Sequence, residues 1–325
     1  MAGFAERFDT YQRRHRAIGL PLGILYKFFD DQGAYQAAIL TYYGFIAIFP
    51  LLLIASSVLG FVLQSDQSLK EELLNSALRQ FPVVGTQLGQ PEGIQGSATA
   101  IVVGTIAALY GAGGLGQAAQ NAINVTLAVP RNSRVNPIVA RLRSLVLLFA
   151  AGATVLTVAG LTSLASQPGG FGIKVDTGLV WLLRLGSVIL TACVLAAMGW
   201  YASSERLSLR QVIPGAVAVA ILWQLLQDAG GFYVEHVVTK ASSMNSTFAL
   251  VLGLVALLYL AATIAVLGLE INVVLAERLY PRALLTPFTD HVRLTEADRR
   301  AYTRYAQAQR HKGFERVTVE FDQPD

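Results

Sequence analysis

The stretch 246–276, STFALVLGLVALLYLAATIAVLGLEINVVLA, decides what kind of molecule this is. It runs for 31 residues, and Glu270 is its only charged side chain. A helix rises about 1.5 Å per residue, so roughly 20 residues cross a ~30 Å hydrocarbon core. Lipid offers backbone N–H and C=O groups no partner, so such a segment is expected to be a helix.

Five more stretches of this kind precede it. Residues 37–63 and 97–129 carry no charge at all. A third follows Arg143 to about 167, a fourth covers 178–202 with Arg184 inside it, and a fifth lies between Arg210 and Asp228. The expected fold is therefore an all-α integral membrane protein with six transmembrane helices. Residues 1–36 form an amphipathic arm, 37–276 the six-helix domain and 277–325 a tail. Composition agrees: 54% of the 325 residues are hydrophobic and only 14% charged, against about 25% charged in soluble proteins. Mean hydropathy is +0.49. An ordinary soluble enzyme, a disordered chain and a disulfide scaffold are all excluded. The lone Cys193 has no partner for a disulfide. The first apolar run is too long for a signal-peptide core and is expected to stay as an anchor.

Positive charge sets the expected orientation, because Lys and Arg collect on the cytoplasmic side. The arm holds five (Arg7, Arg13, Arg14, Arg16, Lys27), the second loop four, the fourth loop two and the tail nine. The first, third and fifth loops together hold four, and Arg184 is left over. Both termini are thus expected to be cytoplasmic. Residues 1–34 read as amphipathic helix on the inner membrane face, with Phe4, Phe8 and Tyr11 on one side. Residues 67–80 read as a short amphipathic helix on the outer face. Thr295 and Asp298 have capping-box spacing before a basic helix over about 296–310. The acidic end, 315–325, is expected to fray.

Several polar groups fall inside the apolar segments. Gln117, Gln120, Asn121 and Asn124 share one helical face, as do Gln224, Gln227, Asp228, Gly231 and Glu235. Facing lipid they would be costly, so they are expected either to line a polar path or to join helices. The 17 uncharged residues between Arg210 and Asp228 span only about 25 Å. That sets Asp228 just inside the outer boundary, at a depth comparable with Arg184, and an Arg184–Asp228 ion pair is expected. Glu270 lies near the opposite boundary, where Arg206, Arg210, Arg141 or Arg143 is its expected partner; a proton- or cation-coupling role is the alternative. Pro50 falls mid-span and should kink its helix. Pro214 is placed in the first turn of the fifth helix.

Enzymatic signatures do not emerge. Gly111, Gly113 and Gly116 match G-x-G-x-x-G, but no Asp or Glu lies between Glu92 and Asp176 to hold a ribose. They read instead as helix-packing glycines. His15, His236, His291 and His311 are scattered without metal-ligand spacing. The basic stretch 293–312 is explained by the positive-inside rule. No catalytic residue, cofactor, metal or nucleic-acid partner is expected.

With these residues in hand the chain resembles the YihY/BrkB family of bacterial inner-membrane proteins, once misnamed ribonuclease BN. The likeness covers about residues 20–280. It rests on Tyr42-Tyr43 leading to Phe49-Pro50-Leu51, Asn121-Ala122-Ile123-Asn124, Pro214-Gly215, Trp223 and the Gly268-x-Glu270-x-Asn272 cluster. Two departures stand out: Met244-Asn245-Ser246-Thr247 replaces a Tyr-Gly-Ser turn, and Leu257-Leu258-Tyr259 replaces Trp-x-Tyr. The resemblance implies a six-helix protein of the bacterial inner membrane. Some members are named as serum-resistance or virulence factors, and one branch resembles exporters of lipid or lipopolysaccharide precursors. The expected function is a non-enzymatic membrane protein that moves or gates an amphipathic or anionic envelope molecule such as a lipid, with membrane lipids as partners. The alternative is a non-transporting envelope scaffold. Small residues on uncharged faces also permit homo-oligomers.

Overall fold

A computed structural model describes residues 2–62, 98–166, 177–202, 207–233, 235–236, 243–284 and 292–322. These residues are all-helical, with no strand among them. The helices are α1 (Ala2–Arg14), α2 (Arg16–Asp30), α3 (Gly33–Val62), α4 (Ala98–Thr126), α5 (Pro137–Ser166), α6 (Thr177–Ala202), α7 (Leu209–Tyr233), α8 (Ser243–Ala276) and α9 (Glu296–Ala308). The amphipathic helix expected over 67–80 lies outside the described residues.

Helices α3 to α8 are each 25 to 34 residues long. They close into a ring in chain order, each packed on the next and α8 returning to α3. One apolar cluster joins Ile123 of α4 and Leu127 just after it, Ala202 of α6, Val212 of α7 and Val273 and Val274 of α8 with Leu279 and Ala301. Chain ends of α4, α6 and α8 thus meet the start of α7, so successive helices run antiparallel. The same end of the ring receives α1, α2, the segment after α8, and α9. We call it the terminal end.

Three stretches among the described residues are long and apolar enough to cross a membrane: Arg184–Ala202, Leu209–Tyr233 and Val251–Ala276. Helix α7 shows how the chain is sorted for lipid. Val212, Gly215, Ala216, Ala220, Leu226 and Gly230 are buried. Ile213, Val217, Ile221 and Leu225, one turn apart along the opposite side, are exposed, as are Leu142, Val146 and Phe149 on α5. Large apolar side chains pointing outward over whole helix faces suit a hydrocarbon solvent and not water.

Small residues set the helix spacing. A Cβ on Gly114 would collide with the Tyr43 ring at 2.2 Å, and one on Gly116 with Ser144 Cβ at 2.2 Å. Two of the glycines around the G-x-G-x-x-G pattern, Gly114 and Gly116, therefore let α3 and α5 approach α4. The closest approach joins α7 to α8. A Cβ on Gly215 would stand 2.0 Å from the Gly268 carbonyl oxygen. There the Gly215 N–H donates to Asn272 Oδ1 at 2.7 Å.

Three expectations need correction. Pro214 is the sixth residue of α7, inside the helix and not in its first turn; the preceding turn is already helical from Leu209. The arm is two helices and not one continuous helix over 1–34. It breaks at His15 into α1 and α2, α3 begins already at Gly33, and α2 packs on α8. Glu270 pairs with Lys27 and not with Arg141, Arg143 or Arg210, and Arg206 lies outside the described residues. Pro50 lies within the continuous helix α3. Helix α9 starts where the capping box places it: Thr295 Oγ1 accepts from the Asp298 N–H, and Asp298 accepts from the Thr295 N–H.

Candidate functional site

The far end of the ring carries the first candidate site. Arg184 stands near the start of α6 and Asp228 near the end of α7, so antiparallel neighbours bring them together. Arg184 Nη2 donates to Asp228 Oδ2 at 2.5 Å, with the two side chains 41% and 55% exposed. The guanidinium also lies 5.8 Å from the Trp181 ring centroid. At this depth an unpaired charge facing hydrocarbon is costly, and pairing offsets that cost for both residues.

A cavity of about 230 Å³ is lined by α5, α6, α7 and α8; neither Arg184 nor Asp228 lines it, but their chain neighbours Ser187 and Gln227 do. Its walls are mostly aliphatic, including Val158, Val188, Val194, Leu195 and Ala261. Polar groups enter from the far side. Ser187 lines it, one turn after Arg184, and donates to the Arg184 carbonyl at 2.7 Å. Gln224 and Gln227 line it from α7, and Gln227 directly precedes Asp228. An apolar chamber with two amides in its wall and a cation–anion pair close by has the polarity profile of an amphiphile. Glu235 is exposed just beyond α7.

The amides of α4 do not join this chamber. Asn121 Nδ2 donates to Gln36 Oε1 of α3 at 3.3 Å. Gln120 is buried, and its Nε2 has no hydrogen-bond partner among the described residues. Gln117 is exposed and Asn124 half-buried.

Glu270 belongs to a second polar site, at the terminal end. It is fully buried and faces Lys27 of α2, whose Nζ is 3.5 Å from Glu270 Oε2. Lys27 also pairs with Asp31, donates to the Thr126 carbonyl at 3.0 Å and lies 5.3 Å from the Tyr305 ring centroid. Thr126 Oγ1 donates to Glu270 Oε1 at 3.3 Å. Beside this group Arg282, also fully buried, pairs with Asp298 and with Asp30, the latter at 3.0 Å. Its carbonyl accepts from Gln12 Nε2 at 2.6 Å. Burial opposes the Arg282 charge, and Asp298 and Asp30 outweigh it, leaving the guanidinium held above its ordinary value. Burial and the nearby Asp9 push the Tyr26 hydroxyl up to about 12.

Sequence reasoning places Arg184 with Asp228 but misses Lys27, Asp31, Arg282 and Asp298. The available signal is Lys27 and Asp31 four residues apart, with Lys27 the only charge between Arg16 and Asp30 in a run rich in apolar residues. Such a lysine needs a buried anion.

The ring of long helices and its outward apolar faces define an integral membrane protein. The virulence factor BrkB family model matches residues 24–290. The chain belongs to that family. It is 27% identical over 268 residues to the ribonuclease-like protein YfkH of Bacillus subtilis strain 168, covering 76% of this chain and 91% of the relative. No solved structure matches. Among the described residues no group of three His, Cys, Asp or Glu side chains is placed to hold a metal ion.

Proposed function

We propose that the protein moves or gates an amphipathic, anionic envelope molecule such as a lipid across the bacterial inner membrane. Both termini lie on the cytoplasmic side in this reading. The supporting observation is the apolar cavity close to the half-exposed Arg184–Asp228 pair. Acyl chains enter the aliphatic chamber, and an anionic headgroup takes over Arg184. Asp228 holds the guanidinium in place while the site is empty, and Gln224 and Gln227 offer amides to the headgroup. Moving a charged group through a ~30 Å apolar core is costly unless polar groups meet it along the way, and this face of α7 supplies them.

The test is lipid movement in proteoliposomes. Wild-type protein moves a labelled anionic lipid, and Arg184→Ala loses most of that activity while keeping its fold. Normal movement by the variant overturns the assignment.

One observation favours a second reading, a non-transporting scaffold: Asn121 is spent on Gln36 of α3, which is helix joining and not a path. A stoichiometric protein partner in gentle purification, with no lipid movement by wild type, supports that reading.

A further inference from the structure

The terminal-end site around Glu270 is unbalanced in charge. Two carboxyls, Asp31 and Glu270, face one ammonium, Lys27, and side-chain exposures of the three are 3%, 0% and 1%. The groups packed around them do not correct this. From α2 comes Asp30, another acid, already paired with Arg282. The segment after α8 supplies Arg282, which is taken by Asp298 and Asp30. Helix α9 supplies Asp298 and the hydroxyls of Tyr302 and Tyr305, and α4 supplies Thr126. Burying an uncompensated negative charge costs several kcal/mol even after relaxation, so a neutralising ligand is called for.

The atoms show where it sits. Glu270 Oε1 accepts from Thr126, but Glu270 Oε2, fully buried, has no hydrogen bond among the described residues, with Lys27 Nζ 3.5 Å away. Asp31 and Glu270 both reach the one Lys27 ammonium, through Oδ2 and Oε2, which brings the two carboxyls side by side. Two ionised carboxylates cannot hydrogen-bond, because neither has a donor. With one proton between them they can, and the pair then carries a single negative charge against Lys27. A metal cation fits less well, since the Lys27 ammonium already contacts both acids.

We propose that Asp31 and Glu270 form a proton-binding site: one proton held between the two carboxyls, with Lys27 balancing the remaining charge. Burial pushes the Asp31 carboxyl up from its ordinary value against the pull of Lys27, in keeping with this geometry. The site lies at the opposite end of the ring from Arg184 and shares no lining residue with the cavity.

Infrared spectroscopy of the full-length protein in lipid reads the proton directly. At neutral pH the wild type shows a protonated-carboxyl C=O band that shifts in D₂O. Glu270→Gln and Asp31→Asn each leave one carboxylate against one ammonium, so both variants lose the band. A wild type without the band, or a band that persists in both variants, overturns the proposal. If neither variant purifies folded, alkaline titration of wild type decides. The band disappears reversibly while the helical circular dichroism is retained; a band insensitive to pH until the helices unfold contradicts the site.

Discussion

At Gly215 a single hydrogen atom in place of a side chain sets the distance between two helices. A methyl there would meet the Gly268 carbonyl oxygen at 2.0 Å, a backbone atom that cannot rotate away. At Gly268 the nearest atom to an added methyl is Val219 Cγ2, the end of a side chain. Overpacking costs about 1–3 kcal/mol, so Gly215→Ala should lower the melting temperature in detergent, and Gly268→Ala should lower it less. Equal shifts would mean that α7 and α8 do not meet there. Arg278 offers a stabilising change. It holds φ at 52° just past α8, where glycine is free of the side-chain penalty. Arg278→Gly should gain about 0.5–1 kcal/mol, read as a raised melting temperature. The Gly268-x-Glu270-x-Asn272 pattern was visible in the sequence, but its reason was not. Asn272 grips α7 at Gly215 and Glu270 turns toward α2 and α4, and those partners lie 57, 243 and 144 residues away. Periodicity within one helix carries no information about contacts at that range.

Helices are where the sequence spoke most clearly. Long uncharged runs gave α3, α4 and α8 nearly to their ends, because in lipid the only local solution is a helix. The Arg184–Asp228 pair was legible too, since two charges at matched depth on consecutive antiparallel helices have little choice of partner. Helix α2 was less legible: its exposed Leu25 and Phe29 suit a membrane surface, yet Lys27 points inward between them. Helix α9 depends on its first turn. Thr295 Oγ1 accepts from the Asp298 N–H at 3.1 Å and also donates to the Pro281 carbonyl at 2.8 Å. Thr295→Ala should cost about 1 kcal/mol, seen as faster amide exchange over 296–308 with α7 and α8 unaffected. Unchanged exchange would show the cap to be dispensable.

The whole molecule is a ring of six long helices with its two ends put to different uses. At the terminal end the arm and tail are locked into one cap by Arg282, which reaches Asp30, Asp298 and, through its carbonyl, Gln12. Removing that guanidinium strands the fully buried Asp298, a loss of about 3–5 kcal/mol. Arg282→Leu should therefore loosen the cap, exposing the arm near Tyr11 to chymotrypsin while the ring helices stay protected; an arm as resistant as wild type would contradict this role. At the far end the cavity and the Arg184–Asp228 pair form the proposed amphiphile site. Native mass spectrometry of gently purified protein tests that claim most directly, comparing wild type with an Arg184→Ala, Asp228→Ala double variant. The account predicts a discrete lipid adduct on the wild type that the variant loses. A bare protein mass in both, or an adduct equally retained by the variant, would contradict it.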